Sequence, residues 1–169
     1  MARLNGLSLF AFAAALSAAP LATAKADVPA AIAAPDETVI ATVHAEGAQV
    51  YECKAADGKL AWQFREPIAT LLVDGKTVGR HFAGPSWELA DGSAVTAKLA
   101  GRAPGATAKD IPLLKLAVTS HRDVGQLAAI TSIQRINTQG GALEGPCDNA
   151  GAMMSVPYKA DYTFLQKPR

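Results

Sequence analysis

The segment at positions 79–88, GRHFAGPSWE, concentrates side chains that could carry chemistry. His81, Trp87 and Glu88 place an imidazole, an indole and a carboxylate around the Gly84-Pro85 pair. An aromatic face beside ionisable groups is typical of a surface that binds a small ligand. The alternative is a hairpin corner, in which Gly84-Pro85 turns the chain, Trp87 fills the core and His81 makes a local hydrogen bond.

A second polar cluster occupies positions 134–141, QRINTQGG. A guanidinium such as that of Arg135 binds a carboxylate or another anion through paired hydrogen bonds. The alternative is a structural ion pair between Arg135 and Glu88 or Asp161. Taken together, the two clusters predict one ligand-binding patch: His81, Trp87, Glu88, Arg135 and Asn137.

The three histidines suggest a different chemistry. If His44, His81 and His121 converged, they could bind zinc or copper and support metal-assisted hydrolysis or redox chemistry. No two of them have the close spacing of a local metal motif. Ser86 lacks the Gly-x-Ser-x-Gly context of a hydrolase nucleophile. We therefore predict no catalytic residues and no cofactor, with the histidine metal site as the alternative.

Composition excludes several classes of protein. The chain has 169 residues with 16 basic and 15 acidic side chains, and this near balance is unlike that of nucleic-acid-binding proteins. Two cysteines are too few for a four-thiolate zinc or iron–sulfur site. The sequence contains neither a Walker loop nor a Gly-x-Gly-x-x-Gly fingerprint. Because half of the residues are hydrophobic, we expect a folded chain.

The elements that must position these side chains are β-strands. Apolar residues alternate with polar or small ones in three clear segments, and Asp-Gly pairs at 57–58, 74–75 and 91–92 predict tight hairpin turns. We predict about eight to ten short strands, one of them near Leu127–Ile136, in an antiparallel β-sandwich or partly closed barrel. This single domain spans 36–166 and follows a flexible Pro/Ala-rich lead-in at 27–35. The alternating apolar sets are Leu60, Trp62 and Phe64; Leu114, Leu116 and Val118; and Tyr158, Ala160, Tyr162 and Phe164.

Cys53 and Cys147 are predicted to form one disulfide, which would tie an early strand to a late loop. Free buried thiols and a bridge to another chain are the alternatives.

Positions 1–26 have the pattern of a secretory signal peptide, with basic Arg3, an apolar run from Leu4 to Leu21, and small residues before cleavage at Ala24 or Ala26. A retained membrane anchor is the alternative. We expect a periplasmic or secreted protein with no membrane span after cleavage.

Five blocks of the sequence resemble a known family. They are HAEGAQVYECK (44–54), GRHFAGPSWELADGS (79–93), IQRINTQGG (133–141), GPCD (145–148) and VPYKADYTF (156–164). Their order and content resemble the secreted domain-of-unknown-function family 3455 of bacteria and fungi over 36–166. The resemblance implies an exported single-domain β protein and supplies no activity or catalytic residue. The matching residues are His44, Gly47, Tyr51, Cys53, His81, Gly84, Pro85, Trp87, Gln134, Arg135, Asn137 and Cys147.

The sequence therefore favours a non-enzymatic exported module that binds a small molecule, a glycan or an envelope component. An enzyme using the three histidines and a purely structural surface protein are the alternatives. A concavity shared by His44, His81, Trp87 and Arg135 would support a site, whereas a flat surface would indicate a structural protein.

Overall fold

The apolar and polar residues that alternate in the sequence face the inside and the outside of one antiparallel sheet. The computed structural model describes residues 28–122 and 124–168, so the predicted signal peptide lies outside the described residues. Each strand pairs with the next, and β1 also pairs with β8, which closes the sheet into a barrel. The strands are β1 (Thr38–Ala56), β2 (Lys59–Val73), β3 (Lys76–Phe82), β4 (Ser86–Leu89), β5 (Ala94–Ala103), β6 (Leu113–Arg122), β7 (Ser132–Gly140) and β8 (Met153–Gln166).

This architecture confirms the predicted antiparallel β fold, and of the two forms that the sequence allowed it is a barrel. The Asp-Gly pairs lie at hairpin turns, as predicted. Asp57 and Gly58 both have positive φ angles, 50° and 77°, between β1 and β2, and Asp74 and Gly75 repeat this between β2 and β3. Such left-handed pairs match the twist of the strands they connect. Within 28–122 and 124–168, no helix is long and apolar enough to cross a membrane.

One end of the barrel is filled by apolar side chains. The sequence predicted a strand from about Leu127, but β7 begins only at Ser132. The preceding turn instead folds inward, and Leu127 and Ile130 are fully buried with the core. Burying two large apolar side chains favours this inward turn over an extended strand.

The opposite end of the barrel is uneven in height. β2 pairs with β3 only from Ala69 to Val73, so its first half stands beyond the β3–β4 turn. There it pairs with β1 on one edge and meets the β7–β8 connection on the other, through a bridge between Ala61 and Pro146. A disulfide between Cys53 and Cys147 joins this tall β1–β2 hairpin to the β7–β8 connection, with 5.9 Å between their Cα atoms. The predicted disulfide is thus confirmed.

The N-terminal segment, residues 28–37, packs on the outside of the barrel. Ile32 has no exposed surface, and its carbonyl oxygen accepts a hydrogen bond from Gln134 Nε2 at 2.6 Å. Glu37 forms an ion pair with Lys115 at 2.9 Å. The lead-in was expected to be flexible, but from residue 28 onward it is held by these contacts, because Ile32 removes apolar surface from water.

Candidate functional site

A cavity opens at the uneven end of the barrel. Its volume is about 710 Å³, and its lining comes from the inner face of the barrel and from the connections around its mouth. We call this cavity the cup. Trp62 and Phe64 of the tall hairpin stand at its mouth, and His81, Trp87, Arg135 and Tyr162 line its deeper part, the floor.

The floor is built around stacked aromatic rings. His81 and Trp87 face each other across the β3–β4 ladder, and their rings stack with centroids 4.3 Å apart. Tyr162 meets both rings, at 4.8 Å from His81 and 5.3 Å from Trp87. His81 Nδ1 donates to the carbonyl oxygen of Ser86 at 2.8 Å. The hairpin-corner interpretation is therefore correct in detail, and the same corner forms part of the cup.

His81 is neutral across the ordinary pH range. Burial lowers the pKa of its imidazole to about 3, a shift that the hydrogen bond to Ser86 opposes and the nearby charge of Arg135 reinforces. Since the Ser86 carbonyl can only accept, Nδ1 carries the proton and Nε2 is an acceptor. The imidazole thus contributes shape and a polar edge to the floor, without a charge.

Arg135 brings a positive charge into the barrel. The register sets Arg135 opposite Leu114 on β6 and Tyr162 on β8, both of which face inward. Its Nε and Nη2 donate to the carbonyl oxygen of Pro112 at 3.0 and 2.9 Å. No carboxylate of the described residues forms an ion pair with it. The guanidinium is therefore fixed in direction but has no counter-charge.

The two acids that the sequence offered as partners of Arg135 lie on the outer face. Glu88 binds Arg80 and Arg122, at 2.6 and 3.0 Å. Asp161 binds His44 and Asn137 instead. A structural ion pair therefore does not account for Arg135.

The phenols near the floor are protonated. Burial raises the pKa of Tyr162 and of Tyr158, whose hydroxyl groups lie 3.3 Å apart, and the charge of Arg135 opposes both shifts. Burial likewise raises the pKa of Tyr51, whose hydroxyl donates to the carbonyl oxygen of Gly141 at 2.7 Å. The charge of the floor is therefore that of Arg135.

Two buried nitrogen donors around the cup are unused. Among the described residues, Gln49 Nε2 and Trp87 Nε1 have no hydrogen-bond partner, although the two residues are only 2% and 1% exposed. Both residues line the cup. Buried donors are nearly always paired in folded proteins. Both nitrogens are shielded from the cup, however, and the side chain of Gln49 lies beside the hydroxyl of Tyr158, so neither marks a contact point for a ligand.

The structure brings together three of the five residues of the predicted patch. His81, Trp87 and Arg135 line the cup, whereas Glu88 and Asn137 lie on the outer surface. Neighbours on a strand point to opposite faces, which separates Glu88 from Trp87. Asn137 has a left-handed φ of 51° where the β7–β8 register shifts, and its amide donates to Asp161 at 2.7 Å.

The three histidines do not converge. His44 lies on the outer face, with Nδ1 2.8 Å from Asp161, while His81 is inside the barrel. His121 lies toward the filled end, with Nε2 2.6 Å from the carbonyl oxygen of Ile130. No group of three potential metal ligands occurs among the described residues. The histidine metal site considered from the sequence was therefore wrong.

Several residues of the cup were not predicted as site residues. Trp62, Phe64 and Tyr162 were recognised as apolar faces of strands, but nothing indicated that these faces enclose a cavity. Gln49 and Tyr51 were also missed as lining residues. The available signal was the concentration of aromatic side chains on the inward faces of β2 and β8.

Fold and site together define an eight-stranded antiparallel barrel with a ligand-sized cup at one end. The chain belongs to the family described as "Protein of unknown function (DUF3455)", whose model matches residues 33–166 and so covers all eight strands. This confirms the resemblance seen in the sequence. No curated protein and no solved structure matches the chain.

Proposed function

We propose that this protein is a non-enzymatic binding module that holds one small, largely apolar molecule in the cup. The observation that carries the proposal is the cavity itself, about 710 Å³ and walled by aromatic and aliphatic side chains. This volume lies within the usual range for small-molecule sites, and eight-stranded barrels are wide enough to hold one such ligand.

The chemistry of the floor supports binding rather than catalysis. A general base works best with a pKa near the working pH, and the pKa of His81 lies far below it at about 3. Tyr158 and Tyr162 keep their protons because burial raises their pKa values. Stacked rings and a fixed guanidinium suit recognition of a ligand that leaves unchanged.

The cup also favours an apolar ligand over a glycan. A sugar needs many polar partners for its hydroxyl groups, whereas apolar residues, including Trp62, Phe64 and Leu143, outnumber the polar ones in the lining of the cup. We further propose that binding takes place outside the cytosol, in the periplasm or the medium. The predicted signal peptide at 1–26 and the Cys53–Cys147 disulfide support this location.

A matched pair of substitutions on β2 tests the proposal. Phe64 lies at the mouth and is 54% exposed, while Ile68 is 58% exposed and points away from the cup. We expect wild-type protein to bind 2-naphthalenemethanol saturably in calorimetry. Phe64→Ala should weaken binding about tenfold because an aromatic contact is lost.

Ile68→Ala is the control, because it removes a similarly exposed apolar side chain from the same strand. It should leave the dissociation constant unchanged, and urea unfolding should show both variants to be folded. Two results contradict the proposal. One is the absence of saturable binding of both 2-naphthalenemethanol and 2-naphthoate to wild-type protein, and the other is an equal loss of affinity in the two variants.

A further inference from the structure

Building on the proposed function, we propose that the ligand of the cup is an apolar monocarboxylate whose anionic group is held by Arg135. The apolar body would lie among the aromatic side chains toward the mouth. This assigns to the half-buried guanidinium the counter-charge that the described chain does not provide.

The first argument is the state of Arg135. A guanidinium has five N–H donors. Nε and Nη2 donate to Pro112, and the side chain also contacts the hydroxyl of Tyr162, which leaves further donors for a ligand. A charge inside a barrel is costly unless it is paired. Glu88 and Asp161 are bound to other partners on the outer face, and Glu144, which lines the cup, forms no ion pair with Arg135 in the described structure. A ligand carboxylate entering the cup would supply the missing pair.

The second argument is the hydrogen-bonding character of the group that Arg135 requires. Gln49 Nε2 and Trp87 Nε1 are shielded from the cup, and Gln49 lies beside the hydroxyl of Tyr158, so Arg135 supplies the donors that a ligand can reach. An ionised carboxylate only accepts hydrogen bonds and offers about four acceptor sites. Such a group complements the N–H donors of Arg135 that do not bind Pro112.

The third argument is the charge balance of the whole cup. The charged residues that line the cup are Arg65, Arg102 and Arg135 against a single acid, Glu144. Arg65 is partly compensated by Glu66, at 3.3 Å on its outer side. The net positive charge attracts an anion toward the opening, and the aromatic walls exclude a small hydrophilic anion that would have to lose its water.

Two probes of the same shape test the proposal by calorimetry at pH 7. The probes are 2-naphthoate and its neutral counterpart 2-naphthalenemethanol. We expect wild-type protein to bind 2-naphthoate at least about tenfold more tightly than the alcohol, as for a hydrogen-bonded ion pair. Arg135→Gln should remove that preference, so that the variant binds the acid and the alcohol with affinities within about threefold of each other.

The control is Arg80→Gln, which removes the same charge from the outer face, where Arg80 binds Glu88. It should preserve the preference for 2-naphthoate. Equal affinity of wild-type protein for the acid and the alcohol overturns the carboxylate proposal and leaves the binding function intact, whereas binding of neither overturns the function. Loss of both affinities in a folded Arg135→Gln variant also overturns the carboxylate assignment. If that variant does not fold, the ratio of the wild-type affinities for 2-naphthoate and 2-naphthalenemethanol decides whether the carboxylate proposal stands.

Discussion

At the scale of single residues, His81 shows how burial decides what a side chain can do. Its ring is stacked on Trp87, and its pKa falls to about 3 from an ordinary value of 6.5. Between pH 6.5 and pH 3, His81 is protonated in the unfolded chain and neutral in the folded chain. The folded state is therefore fully favoured above pH 6.5 and loses stability as the pH falls toward 3.

We expect the free energy of unfolding to fall by about 1.4 kcal/mol per pH unit below about pH 6 through this residue alone. The effect of His81 can be measured separately only above about pH 4.5. Below that pH, the ordinary pKa of a glutamate, Glu37 also contributes to the pH dependence, because its own pKa is lowered in the folded state. Urea unfolding of wild-type protein and of His81→Gln at several pH values measures the effect. The slope should be shallower in the variant. An imidazole resonance of His81 that titrates near pH 6 would contradict the expectation.

The sequence could predict which residue types form the site but not which of them share a face. His81 and Trp87 were found because aromatic and ionisable groups cluster at a turn. Glu88 was grouped with them only because it is adjacent in the chain, and alternation sends it outside. The left-handed backbone of Asn137, at a shift in register, leaves no reliable mark on local sequence.

At the scale of elements, the tall β1–β2 hairpin forms one wall of the cup, and among the described residues the first half of β2 has no neighbouring strand on its outer edge. The β7–β8 connection supports it through the disulfide and through two main-chain hydrogen bonds. The amide of Trp62 donates to Gly145, and that of Cys147 donates to Leu60. Trp62 is also the ladder partner of Cys53. The position of the mouth therefore depends on this covalent link.

We expect the double variant Cys53→Ser and Cys147→Ser to lose about 4 kcal/mol of unfolding free energy, since the bond closes a long loop. Affinity for 2-naphthalenemethanol should fall as well, because the wall carrying Trp62 is less restrained. Urea unfolding and calorimetry measure the two effects. Wild-type protein treated with reductant is the control and should behave like the double variant, and an unchanged urea midpoint would contradict the prediction.

The hairpins were predictable because Asp-Gly supplies the positive φ angles that a tight turn needs. The start of β7 could not be predicted, because a segment containing Leu127 and Ile130 has the same apolar content whether it is an extended strand or an inward-folded turn. Only the space left at the end of the barrel distinguishes the two arrangements. The cup itself could not be predicted, since local alternation does not encode the distance between opposite walls.

At the scale of the whole molecule, the barrel has an outer attachment that is separate from its interior. The N-terminal segment buries Ile32 against the outside, while the cup opens at one end. Ile32→Ala should cost about 3 kcal/mol of unfolding free energy, the usual cost of truncating a buried apolar side chain. Its affinity for 2-naphthalenemethanol should equal that of wild-type protein.

Val28→Ala is the matched control, because Val28 belongs to the same segment and is 38% exposed. It should change stability by less than about 0.5 kcal/mol. A large loss of ligand affinity in Ile32→Ala without unfolding would show that the segment and the cup are coupled.

Closure of the barrel has a consequence for how the polypeptide reaches its folded form. The first strand is completed by the eighth, with Thr38 opposite Gln166 and Glu52 opposite Met153. Until β8 has been synthesised, one edge of β1 has no partner and the ring cannot form. The closed ring is therefore completed only when the last strand is available, which is compatible with the export that we propose.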